Sequence, residues 1–366
     1  MWNHTEVTKK LSIKFPIIQA GMAGGITTPE LIAAVSNAGG LGMLGAGYMT
    51  PEQLESDIQK IIKLTSKPFG VNLFVPENPT VIQEEIERAN QLLEPIRQRL
   101  GIKKKSHLPQ INTSVFDEQI QIVLKYEVPV CSFTFGIPPR ETIHQLKKNG
   151  IVTIGTATTV KEAIMNEEAG MDMVVVQGSE AGGHRGSFAE SFDDSMIGTM
   201  ALIPQVADHV SIPIIAAGGI MDGRGVFAAL ILGAEAVQMG TAFVTCIESG
   251  ANELHKKAIL NGTEEQTVIT SAFSGKPARG LKNEFIVKMK EHEDSLPAYP
   301  IQNMLTQDIR SEAAKQKKSE WMSLWCGQNP RLSKHLHAAE LIEMITNQIE
   351  EIINKFHLIK ETERLI

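Results

Sequence analysis

Only three cysteines, Cys131, Cys246 and Cys326, occur in 366 residues; they are odd in number, far apart and without metal-ligand spacing. Neither a disulfide framework nor a zinc site is indicated, and all three read as buried free thiols. Also missing is any apolar run near the about 18 residues that a membrane span needs. The N-terminus, MWNHTEVTKKLSIKFP, lacks the apolar stretch of a secretory signal. The chain therefore reads as cytoplasmic. Positive charge is in deficit, with 35 Lys and Arg against 42 Asp and Glu and a net charge of -7. Nucleic acid and anionic membranes need a concentrated cationic surface, so neither is expected as a partner. Small molecules remain as ligands.

What is present is ordinary for a globular protein, 42% hydrophobic and 21% charged, enough to bury one large core or two moderate ones. Short apolar runs recur at 15–21, 41–44, 69–74, 128–133, 151–155, 172–178, 212–219 and 234–240, with helical patterns between them. These are eight candidate strands. Their apolar runs are continuous rather than alternating, which fits parallel strands buried on both faces, and eight βα units fit a (β/α)8 TIM barrel. The helical signals agree: in TTVKEAIMNEEAG, Thr158 or Thr159 serves as N-cap, Glu162 falls in the first turn and Gly170 terminates. No repeat beyond the βα rhythm is evident.

Two stretches break the rhythm. Residues 76–127 hold more than one crossover helix, including QEEIERANQLLEPIRQRL and the basic loop KKKSH at 103–107, and read as an insertion between the third and fourth strands. Residues 265–330 contain SAFSGKPARG, YPIQN and WMSLWCGQNP and read as a cap over the barrel mouth. Residues 1–264 and 331–366 then make the barrel. Within the last segment, 338–356 is apolar at three-and-four spacing with acidic residues opposite, a helix that returns to pack on the barrel.

Chemistry is expected at the C-terminal ends of the strands, with phosphate at the loops after the seventh and eighth. Gly218 and Gly219 close the seventh strand, and Gly240 and Thr241 close the eighth and open a helix. Their main-chain N–H groups suit a phosphate, although glycines there also serve tight βα turns. Asn72, Gln177 and Gln238 are amides in otherwise apolar strands; each either contacts the edge of a flavin ring or joins a buried network with nearby backbone. The run QGSEAGGHRG at 177–186 sets His184 among four glycines where the sixth strand ends. A neutral imidazole there can take a proton from a carbon acid, whereas the plainer reading is a structural histidine with Glu180 and Arg185 paired on the surface. Asp222 and Arg224 read as a helix cap with its ion pair. Lys276 and Arg279 either hold an anionic substrate or belong to a solvated loop, and Tyr299 either lines the pocket or packs.

PIIQAGMAGG at 16–25, GVNLF at 70–74, QGSEAGGHRG, AAGGIMDGRG at 216–225 and VQMGTAF at 237–243 together resemble the nitronate monooxygenase family, formerly 2-nitropropane dioxygenases. The resemblance runs from about residue 10 to about residue 330 in the family's order. It implies a (β/α)8 flavoprotein that binds FMN without covalent attachment. The implied reaction oxidises alkyl nitronates such as propionate 3-nitronate with dioxygen to a carbonyl compound and nitrite, without NAD(P)H. Carried over, the FMN contacts fall on Asn72, Gln177, Gly182, Gly219 and the run Gln238, Met239, Gly240 and Thr241, with Ala20, Gly21 and Met22 beneath the ring. The family histidine falls on His184.

A very similar EAGGH segment occurs in flavin-dependent enoyl-[acyl-carrier-protein] reductases and NAD(P)H:quinone reductases, so a reductase is the first alternative. A non-catalytic flavin-binding barrel is the second. The long cap favours the monooxygenase, since the pocket reads as short and able to hold a small anion. No metal is expected, and amphipathic termini leave room for a homodimer.

Overall fold

The computed structural model describes residues 1–77, 79–103 and 114–363. Most of the basic loop at 103–107 lies outside the described residues. Among the described residues, one sheet contains eight parallel strands: β1 (Ile17–Gln19), β2 (Gly42–Gly45), β3 (Phe69–Phe74), β4 (Val130–Thr134), β5 (Val152–Ala157), β6 (Met173–Gln177), β8 (Ile214–Ala217) and β9 (Ala236–Met239). The order β1-β9-β8-β6-β5-β4-β3-β2 closes through a parallel bridge between Ile18 and Leu41, so the sheet is a barrel. Every one of the eight apolar runs supplies one stave. In β6 the alternation is plain: Met173 and Val175 join the barrel interior with Ile18, Met43 and Ile215, while Val174 and Val176 pack outward under the helices. Val7 and Leu11 of the helix Glu6–Leu11 plug the N-terminal end.

The helices start where local chemistry allows. Thr28 and Thr50 cap helices Pro29–Asn37 and Pro51–Leu64, each with proline at the first helical position, where a missing N–H costs nothing. Thr159 caps Val160–Ala169, and Gly170 ends it in the left-handed conformation. Asp222 caps Gly223–Ile231 through the N–H groups of Arg224 and Gly225, and its other oxygen holds the Arg224 guanidinium at 2.5 Å. The C-terminal helix Ala338–Glu363 returns to the barrel wall, where it packs on helices Pro29–Asn37 and Gly223–Ile231 and buries Leu341, Ile342, Ile345 and Ile349 in the outer core.

The two irregular segments meet each other. Helix Gln83–Arg99 buries Ile86, Leu93 and Ile96 in one apolar core with Phe273, Phe285, Leu305 and Trp321. Arg97, fully buried, ties the two together: Nε meets Asp308 Oδ2 at 2.9 Å, and Nη2 donates to the Leu305 carbonyl. Nothing local to either stretch announces that pairing.

The turn that carries His184 is also more ordered than its glycines foretold. Gly183–His184 form a two-residue strand, β7, on the edge of a small antiparallel sheet with β11 (Ala278–Leu281) and β10 (Thr267–Thr270). Ala278 pairs with His184 and Arg279 with Gly183, so the cap and the histidine loop share main-chain hydrogen bonds.

Candidate functional site

A cavity lies at the C-terminal ends of the staves, as the barrel rule requires. Its wall includes Ala20, Gly21, Met22, Asn72, Gln177, Gly182, His184, Gly218, Gly219, Gln238, Gly240 and Thr241, which brings together all but one of the positions carried over from the resemblance. Met239 is the exception. Its side chain is 1% exposed and points into the outer core, so only its main chain belongs to the rim, where its carbonyl accepts from Ala20 N.

One end of the cavity is made of backbone. Gly218 and Gly219 have φ of 119° and 69°, conformations that L side chains rarely adopt. Among the described residues the N–H groups of Gly218, Gly219, Gly240 and Thr241 find no acceptor. Four unpaired main-chain donors on the wall of one cavity suit a phosphate. A strap from the cap closes this end: Gly327 N donates to Thr241 Oγ1 at 2.8 Å, Gln328 N to the Glu180 carbonyl at 2.9 Å, and Asn329 Nδ2 to the Gly219 carbonyl at 3.2 Å. His255, buried, anchors the start of the strap through Nε2 on the Trp325 carbonyl.

The amides in the strands divide into two kinds. Asn72 Oδ1 accepts from Ser132 Oγ (2.8 Å) and Thr134 Oγ1 (3.1 Å), and among the described residues Nδ2 has no acceptor. Gln238 has no side-chain hydrogen bond among the described residues and faces the cavity. Gln177, which also lines the cavity, joins a network with nearby backbone. Its Nε2 donates to the His184 carbonyl and its Oε1 accepts from Gly186 N, so the amide is a brace that fixes the histidine loop. Arg185 completes the brace. Buried, it donates to the carbonyls of Gln177, Gly178 and Ser195 instead of pairing with Glu180, whose carboxylate caps helix Thr199–Ala207 through Thr199 N and Oγ1.

At the other end stands His184, half-buried with its open side on the cavity. Nε2 lies 2.9 Å from Ser274 Oγ, and that hydroxyl donates to the Lys276 carbonyl at 3.0 Å. With its one proton so engaged, the hydroxyl accepts from Nε2–H, and the neutral ring keeps its lone pair on Nδ1. The rings of Phe135, Tyr299 and Trp325 pack around the imidazole at 5.7, 5.9 and 5.4 Å. Phe135 is held at φ 73°, a strained conformation for phenylalanine and a mark of a constrained site. Desolvation, then the charges of Lys276 and Arg310, push the His184 pKa down to about 3, so the ring is neutral at physiological pH.

The three expected substrate residues separate. Tyr299 stands beside His184, buried. Lys276 lies over the Phe135 ring at 4.8 Å, but its ammonium is paired with Glu77 Oε1 at 2.6 Å. Arg279 does not line the cavity: its guanidinium is buried behind β7, donating to the Ser179 carbonyl and Thr267 Oγ1, and so braces the cap against the loop. Ser274, Tyr48, Phe135 and Trp325 were not singled out from sequence. The SAFSGKPARG run held the one local hint, a serine two residues before Lys276.

A parallel barrel with a phosphate-ready rim and an oriented neutral histidine under a cap defines a barrel oxidoreductase site. The profile of the family described as nitronate monooxygenase matches residues 4–348. A probable nitronate monooxygenase of Staphylococcus haemolyticus is 54% identical, with 96% of this chain and 99% of that protein covered. One from Staphylococcus aureus strain Newman is 52% identical over the same shares. Among solved structures, the nitroalkane oxidase of Streptomyces ansochromogenes aligns with a TM-score of 0.89 at 39% identity, covering 96% of this chain and 99% of that one. FabK from Thermotoga maritima aligns at 0.76 and 34%, covering 97% and 98%. The chain belongs to the nitronate monooxygenase family and is an oxidoreductase. Among the described residues no helix is long and apolar enough to cross a membrane.

Proposed function

We propose that the protein oxidises alkyl nitronates, such as propionate 3-nitronate, with dioxygen to a carbonyl compound and nitrite, using FMN and no NAD(P)H. The observation that carries this reading is a single cavity with four unpaired main-chain donors at one end and an oriented neutral imidazole at the other. The donor set fits FMN. Gly218, Gly219, Gly240 and Thr241 would take the phosphate, Asn72 Nδ2 and the Gln238 amide would meet the ring edge, and Ala20–Met22 would lie beneath it. FMN, when bound, supplies the electron acceptor and the means of reacting with dioxygen.

The chain's own residues bind and position. His184 Nδ1 faces the substrate as a hydrogen-bond acceptor and takes the α-proton of a neutral nitroalkane, while Ser274 keeps the other nitrogen protonated. The cationic surroundings that weaken His184 as a base favour a bound anion, and an anion beside the ring restores its affinity for a proton. Phe135, Tyr299 and Trp325 exclude water around it. The segment 265–330 would act as the cap and substrate region of a cytoplasmic enzyme whose partners are nitronate and dioxygen. Neither nucleic acid nor membrane would be a partner, and amphipathic termini would be available for a homodimer.

Purification tests this directly: the protein should be yellow, release FMN, and consume oxygen with nitrite release when propionate 3-nitronate is added. Rapid anaerobic bleaching by NADH or NADPH would replace this reading with a reductase. A flavoprotein inert to both would be a binding barrel.

A further inference from the structure

One hydrogen-bond donor on the cavity wall is unused. Trp325 lines the cavity and its carbonyl accepts from His255 Nε2 at 2.8 Å, but among the described residues its indole Nε1–H meets no acceptor. Nor is that nitrogen sealed in the core. An indole N–H is a donor only, and one enclosed by protein usually finds a partner, so an idle one on a cavity wall points to a ligand that accepts from it.

The fold leaves the donor edge of the ring open. An antiparallel bridge sets Trp325 beside Gly280 of β11, and a Cβ on Gly280 would stand 2.9 Å from Trp325 Cε3, so that edge of the indole is pressed against the small sheet. Nε1 lies on the opposite edge of the ring. Phe273, from the core beneath the cap, meets the indole T-shaped at 5.7 Å, and the His184 imidazole is tilted against it at 5.4 Å. With its carbonyl held by His255, Trp325 is fixed on several sides, its N–H is free, and the ring beside it carries a lone pair on Nδ1.

An acceptor and a donor side by side match the two reacting parts of a nitroalkane, the acidic α C–H and the adjacent nitro group. As the C–H bond breaks and the proton goes to His184 Nδ1, the C–H electron pair forms the C=N bond and negative charge moves onto the nitro oxygens. A fixed donor aimed at that charge stabilises the transition state more than the ground state. We propose that Trp325 is a catalytic residue whose Nε1–H donates to a nitro oxygen of the substrate while His184 Nδ1 faces the α-carbon. The inference rests on the nitronate oxidation proposed above.

The test uses flavin-loaded wild type, Trp325→Phe, and a protein carrying at position 325 benzothienylalanine, the isostere of tryptophan with sulfur in place of N–H, which keeps the ring shape if phenylalanine repacks. On neutral nitroethane, where charge appears only during proton transfer, kcat should fall about 10- to 100-fold in both variants with KM little changed. On preformed ethyl nitronate, already charged when it binds, KM should rise up to about tenfold with kcat within about twofold. In protein labelled with nitrogen-15 at its tryptophans, saturating nitrate, an unreactive planar oxyanion, should shift the indole signal that Trp325→Phe removes and leave those of Trp2 and Trp321 in place. An unmoved Trp325 signal, or the same kcat loss on both substrates, would overturn the donor and leave nitronate oxidation standing. A shifted Trp325 signal in a wild type that turns over neither substrate would overturn the oxidation and leave the donor.

Discussion

The two ends of the cavity are built by different means. The phosphate-ready end consists of main-chain N–H groups at the ends of β8 and β9, contributed by residues that are neighbours in sequence. The histidine end consists of side chains gathered from far apart: His184 on β7, Ser274 and Tyr299 from the segment 265–330, Tyr48 after β2 and Phe135 after β4. The first end depends on backbone conformation and tolerates any side chain that leaves it alone. The second depends on individual atoms. Substitutions at the first end should therefore change cofactor retention, and those at the second should change turnover with the cofactor still bound.

The largest separation is expected from His184→Asn. The protein should keep FMN yet lose nitroalkane turnover by about 100-fold or more, the range of general-base catalysis. Oxygen uptake and the flavin spectrum on one sample check both halves, and unchanged turnover would remove His184 from the mechanism. Gly182→Ala works from the opposite side. A Cβ there would stand 2.4 Å from Gly327 N and 2.6 Å from Cys326 C, so the strap over the phosphate end must shift. Overpacking of this kind typically costs about 1–3 kcal/mol. Flavin dissociation during dialysis should rise while the kcat of the fraction that keeps its flavin is unaltered. If kcat falls and flavin is retained, the two ends are not separable.

How much of this could be read in advance follows the same division. All eight staves were legible because a parallel strand buried on both faces is a continuous apolar run, and Gly218–Gly219 and Gly240–Thr241 were legible because a backbone site is written in adjacent residues. Gln177 was legible as an amide that would meet a flavin edge or join a backbone network, but not with which backbone, since its partners, the His184 carbonyl and Gly186 N, carry no side-chain signature. Arg279 read either as a substrate cation or as part of a solvated loop, both of which need it exposed; β11 pairing with β7 buries it. The union of helix Gln83–Arg99 with the cap, through Arg97 and Asp308, joins positions 211 apart in sequence and left no local trace.

Ser274→Ala gives a smaller effect at the histidine end. Without the hydroxyl, Nε2–H has no acceptor and the ring is free to carry its proton on Nδ1, the wrong nitrogen for accepting one from substrate. Loss of one neutral hydrogen bond corresponds to about a tenfold fall in kcat, with flavin binding and KM little changed. Ser274→Thr should restore most of it, and nitrogen NMR of the labelled imidazole should show the tautomer moving. A full loss of flavin in Ser274→Ala would mean that the serine supports the whole cap.

The smallest effect concerns both histidines that the cap depends on. Desolvation lowers the pKa of His184 to about 3 and moves that of His255 in the same direction, against an ordinary value of 6.5. In the unfolded chain both imidazoles take up a proton as the pH drops through 6.5, while in the fold they stay neutral, so the unfolded state binds more protons and stability falls with falling pH. The contribution is complete above pH 6.5 and is lost progressively below it, down to the folded value for His184. The carboxylates with lowered pKa values, Asp172 against an ordinary 3.8 and Glu52, Glu55, Glu264 and Glu312 against 4.5, act near and below those values. Melting temperature measured between about pH 7.5 and 5.5 therefore reports mainly the imidazoles. It should decline, and less steeply in His184→Asn and in His255→Gln, which can still donate to the Trp325 carbonyl. Because His184 opens onto the cavity, its share should be the lesser of the two; an equal slope in all three proteins would show that neither ring is held neutral by the fold.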